Sequence, residues 1–319
     1  TSMAVPARES RRYRWLPYLL IAMTLFALLA AAGVLRFVED RFVEATGGEL
    51  TLAAVEIAEK VDRMLFERRG DALMMTRALA SRMSDQKFLS EYLKWMQKEY
   101  APVYLSLAVM DDQGIVVAAT ETSLVGRNYG RAASFTAVRE TQQLNVTDVA
   151  VQETGESGVE TITFTAPILS PQATFLGAVT LQVGIPFLEE VTTRTIRLHE
   201  ARRGASGRIE YKMLTRKGRV FVDSNLLHKG GLNLTELGLP PALLTEAGVP
   251  GFVEEEHLQR HVQVVTGYAQ TRGFGEFVGL GWSVLVRMER QEILAPIHAF
   301  LWKVGIIGGV VWIPMLVLL

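Results

Sequence analysis

The chain writes one small unit twice, and any fold it adopts has to accommodate both copies. Residues 105–126, LSLAVMDDQGIVVAATETSLVG, run as an apolar strand, a polar turn closed by Gly114, a second apolar strand and a loop ending at Gly126. Residues 209–231, IEYKMLTRKGRVFVDSNLLHKGG, repeat that order about 105 positions later. Gly114 and Gly126 are 12 apart, while Gly218 lies 12 from Gly230 and 13 from Gly231. A strand–turn–strand plan recurring at that interval predicts two copies of one small domain in tandem. The closing halves match too: Thr165-Ala166-Pro167 then Leu176-Gly177-Ala178-Val179 parallels Thr266-Gly267-Tyr268 then Leu280-Gly281-Trp282-Ser283.

Two apolar runs bracket the repeats. Residues 15–35 carry no charge over 21 positions, which at about 1.5 Å per helical residue spans roughly 30 Å, the thickness of a bilayer core. Arg8, Arg11, Arg12 and Arg14 in front of it predict a cytoplasmic N-terminus. A cleaved signal peptide is the competing reading, because residues 30–33 resemble a cleavage region; the apolar run exceeds a typical signal core and Arg36 follows at once. Residues 297–319 form the second run, interrupted by His298 and Lys303. Lys303 is placed to snorkel beside Trp302, and Gly305 and Gly309 have the small-xxx-small spacing of close helix packing, or are simply common membrane glycines. If both runs span, the layout is a cytoplasmic 1–14, a membrane helix 15–37, an exported 38–296 and a membrane helix 297–319, with the chain ending as it re-enters the cytoplasm. Any output domain is then absent from this chain.

Within the exported part, Leu50, Ala54, Ile57, Val61, Met64, Met75 and Leu79 recur at steps of three and four with charges between them. That pattern predicts a long helix over 38–83, loosened at Thr46-Gly47-Gly48, whose apolar stripe packs on its own domain, on a partner copy, or on both. A short helix over 85–99 ends before Pro102. Strands are expected at 104–110, 115–120, 161–167 and 176–183 in the first copy (84–202), with a helical patch at 130–141 and a helix at 186–202. In the second copy (203–296) they are expected at 210–214, 219–224 and 281–288, with a short helix at 241–246 and a hairpin over 251–271. The fold class is α+β.

A formal net charge of −1 argues against nucleic acid as a partner. The absence of cysteine excludes disulfides and thiol catalysis. No nucleophile elbow, Walker or HExxH motif occurs, so no enzymatic activity and no cofactor are expected. His257 and His261 are four apart behind Glu254, Glu255 and Glu256, a zinc-like spacing on a helix, but the flanking strand pattern places them at a hairpin turn and no metal site is expected. His199, His228 and His298 have no evident partner. Asp111-Asp112 is expected to cap its own turn.

The order of these parts resembles the double Cache sensor region of bacterial transmembrane receptors, two PAS-like sheets in tandem between two membrane helices. Residues 279–296, GLGWSVLVRMERQEILAP, are similar to the end of the membrane-proximal module, where the last strand hands directly to the exit helix. The resemblance covers roughly residues 38–300. It implies an extracytoplasmic ligand sensor of the inner membrane, a homodimer through the long helix, upstream of a chemotaxis, histidine-kinase, cyclase or phosphatase output. Its ligand, a small molecule or a periplasmic binding protein, is implied to sit in the distal module by the segment 126–148.

Amino-acid-binding members carry R-x-W-Y-x-x-A, then Y-x-D, then a late Asp. Here Arg131 and Ala137 fit the first pattern, but Ala133 and Ser134 stand at the Trp and Tyr positions; Asp148 keeps the acid without its tyrosine, and the late Asp falls at Gly184. The groups that would hold an ammonium are missing, which argues against an α-amino acid. Arg131, Phe135, Arg139, Asp148, Thr163 and Thr165 are the candidate ligand-binding residues, suited to an anion, a carboxylate or a small polar ligand. The structural alternative is an Arg131–Asp148 ion pair with Phe135 in the core. The functional alternative is an accessory subunit of a membrane complex that reuses the sensor fold.

Overall fold

The computed structural model describes residues 15–151, 159–203, 207–225, 232–257 and 260–318. The four N-terminal arginines, Gly204, His228, Gly230 and Gly231 lie outside them. The chain divides into two units, one of residues 1–46 with 293–319 and one of residues 47–292.

Helix α1 (Leu16–Ala80) begins in the first unit. From Ile21 it is long and apolar enough to cross a membrane, and its most apolar 18-residue window has a mean hydropathy of 2.2 with none of that window buried. Helix α6 (Arg290–Leu318) supplies the other described part of this unit. His298 Nε2 lies 3.0 Å from Glu39 Oε1, so His298 has the partner that sequence spacing does not reveal.

In the second unit α1 continues without a break through Thr46-Gly47-Gly48, which corrects the expected loosening. The reason is packing. A Cβ at Gly47 would fall 2.4 Å from the Phe252 ring, so this glycine admits an aromatic side chain against the helix rather than unwinding it. The predicted stripe is buried within the chain itself: Leu50, Ala54, Ile57, Val61, Met75 and Leu79 are at most 1% exposed and Met64 is 7% exposed. Each large apolar side chain removed from water in this way contributes about 1.5–3 kcal/mol. Helix α2 (Gln86–Glu99) is started by Asp85, whose side chain accepts from the Phe88 N–H, and it buries Leu89, Leu93 and Met96 at i, i+4 and i+7.

Two five-stranded antiparallel sheets follow. The first comprises β1 (Tyr104–Asp111), β2 (Val116–Ala119), β3 (Asn145–Val151), β4 (Glu160–Leu169) and β5 (Phe175–Gly184), in the order β2-β1-β5-β4-β3. Helix α3 (Ala133–Thr141) precedes β3, and α4 (Ile185–Arg203) leads to the second sheet. That sheet comprises β6 (Glu210–Leu214), β7 (Val220–Asp223), β8 (Gly251–Glu256), β9 (Gln263–Gln270) and β10 (Ser283–Glu289), with α5 (Pro240–Glu246) before β8. Its order, β7-β6-β10-β9-β8, is the first order repeated.

The two copies agree in detail. Gly114 and Gly218 have φ of +82° and +84°, a conformation that costs an L-residue and costs glycine little. The β1–β2 register shifts at Val109/Met110 and the β6–β7 register at Met213/Leu214, the same place in each copy. Asp111 Oδ1 accepts from the Gln113 and Ile115 N–H groups at 3.0 and 2.9 Å, which is the turn-capping role expected of it. Strand β3, NVTDVAV, is the one strand of the first sheet that the sequence pattern does not predict.

Helix α1 is tied to both sheets. The Tyr104 hydroxyl on β1 donates to Asp71, and the Arg68 guanidinium stands 5.6 Å over the Tyr104 ring. Between β9 and β10, the Arg272 and Gly273 N–H groups donate to Asp62 Oδ2 at 2.7 and 2.8 Å. Asp62 is 4% exposed, and burial pushes its carboxyl above the ordinary value despite those two bonds. His199, at the far end of α4, lies 2.9 Å from Glu56 on α1, a second imidazole whose partner sequence did not show.

Candidate ligand pocket

The register of the first sheet fixes which side chains share a face. Ser106 on β1 is opposite Gln182 on β5, which is opposite Thr163 on β4, which is opposite Thr147 on β3. The next row runs Ala108, Thr180, Thr165 and Asn145. Directly paired residues of an antiparallel sheet project to one side, so these two rows lay hydroxyls and amides side by side. Such a row on the covered side of a sheet has to find hydrogen-bond partners.

A cavity of about 190 Å³ opens over this face. Its floor is Ser106, Thr147, Thr163, Thr180 and Gln182. Met110, Val116, Leu124, Tyr129 and Phe135 form apolar and aromatic walls, with Ala132 and Ser134 at the start of α3. Phe135 is fully buried, meets Phe175 edge-on at 5.8 Å, and belongs to the same apolar cluster as Val138 and Ala178. Two polar atoms here are left without partners, Thr165 Oγ1 (its residue fully buried) and Gln182 Oε1. Buried polar atoms are nearly always satisfied, so a pair of orphans beside a cavity marks a place where a ligand or ordered water completes the network. No Asp, Glu, His, Lys or Arg side chain is among the described residues lining the cavity.

The six residues singled out from sequence part company here. Phe135 and Thr163 line the cavity, and Thr165 lies in the second row of the same face. Arg131 and Arg139 are exposed, Arg139 stacking at 5.8 Å over the Phe135 ring from outside. Asp148 is turned away to the second sheet, where its Oδ1 accepts from Trp282 Nε1 at 2.8 Å; the Arg131–Asp148 ion pair is therefore not formed. Sequence reading missed Ser106, Thr180 and Gln182. The signal for them was present as polar residues at alternate positions of otherwise apolar strands.

Elsewhere, His257 and His261 flank the β8–β9 turn, where the His257 N–H donates to the Val262 carbonyl and the His261 ring is 2.8 Å from Glu256. Among the described residues no group of three or more His, Cys, Asp or Glu is arranged to hold a metal ion.

No protein-family model matches the chain, and neither does any curated protein. Solved structures do. The extracellular domain of the histidine kinase rpHK1S-Z16 superposes with a TM-score of 0.60 at 13% identity, covering 78% of this chain and 97% of that one. The sensory domain of the Campylobacter jejuni chemoreceptor Tlp3 with isoleucine bound gives 0.60 at 11%, covering 81% and 98%. The ligand binding domain of Mlp24 with asparagine gives 0.57 at 15%, covering 82% and 98%. The chain thus has the tandem-sheet fold of extracellular sensory domains of histidine kinases and chemoreceptors, the double Cache arrangement.

Proposed function

We propose that this chain is the extracytoplasmic ligand-sensing and transmembrane signalling module of a bacterial receptor of the chemoreceptor, histidine-kinase, cyclase or phosphatase type. The observation that carries the proposal is the cavity of the first sheet, with its polar floor, apolar walls and orphaned Thr165 Oγ1 and Gln182 Oε1. Its similarity to sensory domains that hold small molecules supports the same reading.

The lining selects the ligand. A charged group entering a cavity without a counter-ion loses its hydration unrepaid, and the described lining offers hydroxyls, one amide and aromatic surface. The ligand is a small, uncharged, polar molecule with an apolar part that meets Phe135 and Met110. Among the classes expected from sequence, this favours the small polar ligand over an anion or a carboxylate.

Residues 15–37 and 297–319 are the two membrane spans, with the N-terminus cytoplasmic and residues 38–296 exported. The dimer contact lies on the exposed face of α1 that carries Leu52 and Met74, 67% and 70% exposed. A ligand acts only through a difference in its affinity for two states, and α1, tied to both sheets through Asp71 and Asp62, is the element whose position such a difference would bias.

The test is a thermal-shift screen of the full chain in detergent against a library of small uncharged polar metabolites. Stabilisation by at least one compound is expected. A flat response across the library, or equal stabilisation by simple anions, would count against the proposal.

A further inference from the structure

The second sheet repeats the first down to its rows, and the repeat exposes a difference. Where the first sheet sets Ser106, Gln182 and Thr163 side by side across β1, β5 and β4, the second sets Glu210, Arg287 and Thr266 across β6, β10 and β9. Ser106 and Glu210 stand at the same distance before Gly114 and Gly218, so the two rows are equivalent. The polar floor of the first module has become a charged row in the second.

That row is buried. Glu210, Arg287 and Thr266 are 7%, 4% and 0% exposed. Its neighbours are sorted into closed pairs: Lys212 Nζ donates to Asp223 Oδ2 at 2.5 Å, Arg260 reaches both Glu210 Oε1 and Glu289 Oε1, and Thr266 Oγ1 donates to Glu255 Oε1 at 2.7 Å. After this pairing four atoms remain buried with no hydrogen-bond partner: Arg287 Nε and Nη2, Glu210 Oε2 and Glu255 Oε2. Burial, and to a lesser degree Arg260, works against the Arg287 charge, and the Glu255, Glu210 and Asp223 carboxylates oppose that. A buried guanidinium with two idle N–H groups beside two idle carboxylate oxygens is costly, and such an arrangement persists where something completes it.

The complement follows from the vacant valences. Two neighbouring N–H groups of a guanidinium match the two oxygens of a carboxylate. Two carboxylate oxygens match a donor, either an ammonium or a hydroxyl. We propose that the second module holds its own ligand site on the row Glu210–Arg287–Thr266, taking a small carboxylate that also carries a hydrogen-bond donor. The ligand's carboxylate lies on Arg287 and its donor on Glu255 or Glu210. Arg287 is three residues before α6 begins, so the site is on the strand that continues directly into that helix. This site is separate from the uncharged cavity of the first module, and the two modules take ligands of different charge.

Isothermal titration of the full chain in detergent with glycine, glycolate and acetate tests it. Glycine or glycolate binds, and acetate, which has the carboxylate without the donor, binds at least about tenfold more weakly. Arg287→Met weakens binding by about 100-fold, as expected for removing one partner of a buried ionic contact, whereas Gln182→Leu in the first module leaves it unchanged. Glu255→Gln removes the negative charge from the donor's partner, so it weakens glycine, whose donor is an ammonium, more than glycolate, whose donor is a hydroxyl. Should Arg287→Met fail to fold, Arg287→Lys keeps the charge and loses the fork, and the same loss of affinity is expected of it. No binding of any of the three at millimolar concentration would overturn the proposal. So would equal binding of acetate, binding unaltered by both Arg287 variants, or binding abolished by Gln182→Leu.

Discussion

Trp282 on the threshold of β10 donates its indole N–H to Asp148 Oδ1 on β3 at 2.8 Å, so a fully buried side chain of the second sheet is held by a carboxylate of the first. The Trp282 ring packs on Phe221 at 4.7 Å, and its backbone N–H donates to Thr271 Oγ1 at 2.8 Å. A second contact joins the same two sheets: the Arg219 guanidinium donates to Glu160, and its Nη2 to the Val149 carbonyl at 2.9 Å. A rearrangement at β3, beside the cavity, therefore has a polar route into β7 and β10.

Removing the acceptor should be felt as lost stability. Asp148→Ala leaves the Trp282 N–H buried without a partner, which costs about 1–3 kcal/mol. Asp148→Asn keeps an acceptor oxygen and should cost less than half as much. Chemical denaturation of the full chain in detergent, followed by tryptophan fluorescence, separates the two. Equal loss from both variants would mean that the charge rather than the hydrogen bond is what matters.

Gly267 predicts a steric effect. A Cβ there would lie 2.4 Å from the backbone carbon of Leu50 and the nitrogen of Thr51, so β9 and α1 meet backbone to backbone. Gly267→Ala must push the helix off the sheet, and overpacking of this kind costs about 1–3 kcal/mol or more. The thermal midpoint should fall by several degrees, while alanine at Gly126, where a Cβ meets nothing within 4 Å, acts through its backbone conformation alone.

Asp62 gives a pH dependence whose sign is fixed. Its folded-state carboxyl titrates above the ordinary value of 3.8 because of burial, so the folded chain holds that proton more tightly than the unfolded chain. Between the ordinary and the raised value the folded state binds more protons, and the stability attached to this group falls as pH rises through that window. Asp62→Asn retains an oxygen for the Arg272 and Gly273 N–H groups and cannot titrate. Relative to wild type, the variant should gain stability as pH rises from about 3.8 upward, measured as the difference in thermal midpoint. A difference that stays constant with pH would remove Asp62 as the titrating group.

What sequence made legible was whatever repeats or keeps a period. The Gly114/Gly218 offset and the three-and-four spacing from Leu50 to Leu79 gave the tandem sheets and the long helix, because backbone conformation at a turn and burial along a stripe are local demands. Of the candidate residues, Phe135 and Thr163 were named from the strands and the segment after Gly126 and line the cavity, whereas Ser106, Thr180 and Gln182 come together only through the pairing of β1 and β4 with β5, a register no local pattern encodes. The partner of Asp148 was hidden for the same reason: Trp282 is 134 residues away. Gly47 shows the limit of propensity, since it sits in an unbroken helix to make room for Phe252.

Binding of a small uncharged polar molecule in the cavity over Gln182 is tested by direct titration. A compound that stabilises the full chain is titrated calorimetrically into wild type and into Gln182→Leu, which removes the amide from the floor and keeps its bulk. A site that hydrogen-bonds its ligand loses roughly 10–100-fold in affinity when a floor group is lost, and that loss is the predicted result. Undiminished affinity in Gln182→Leu and in Thr163→Val would contradict it.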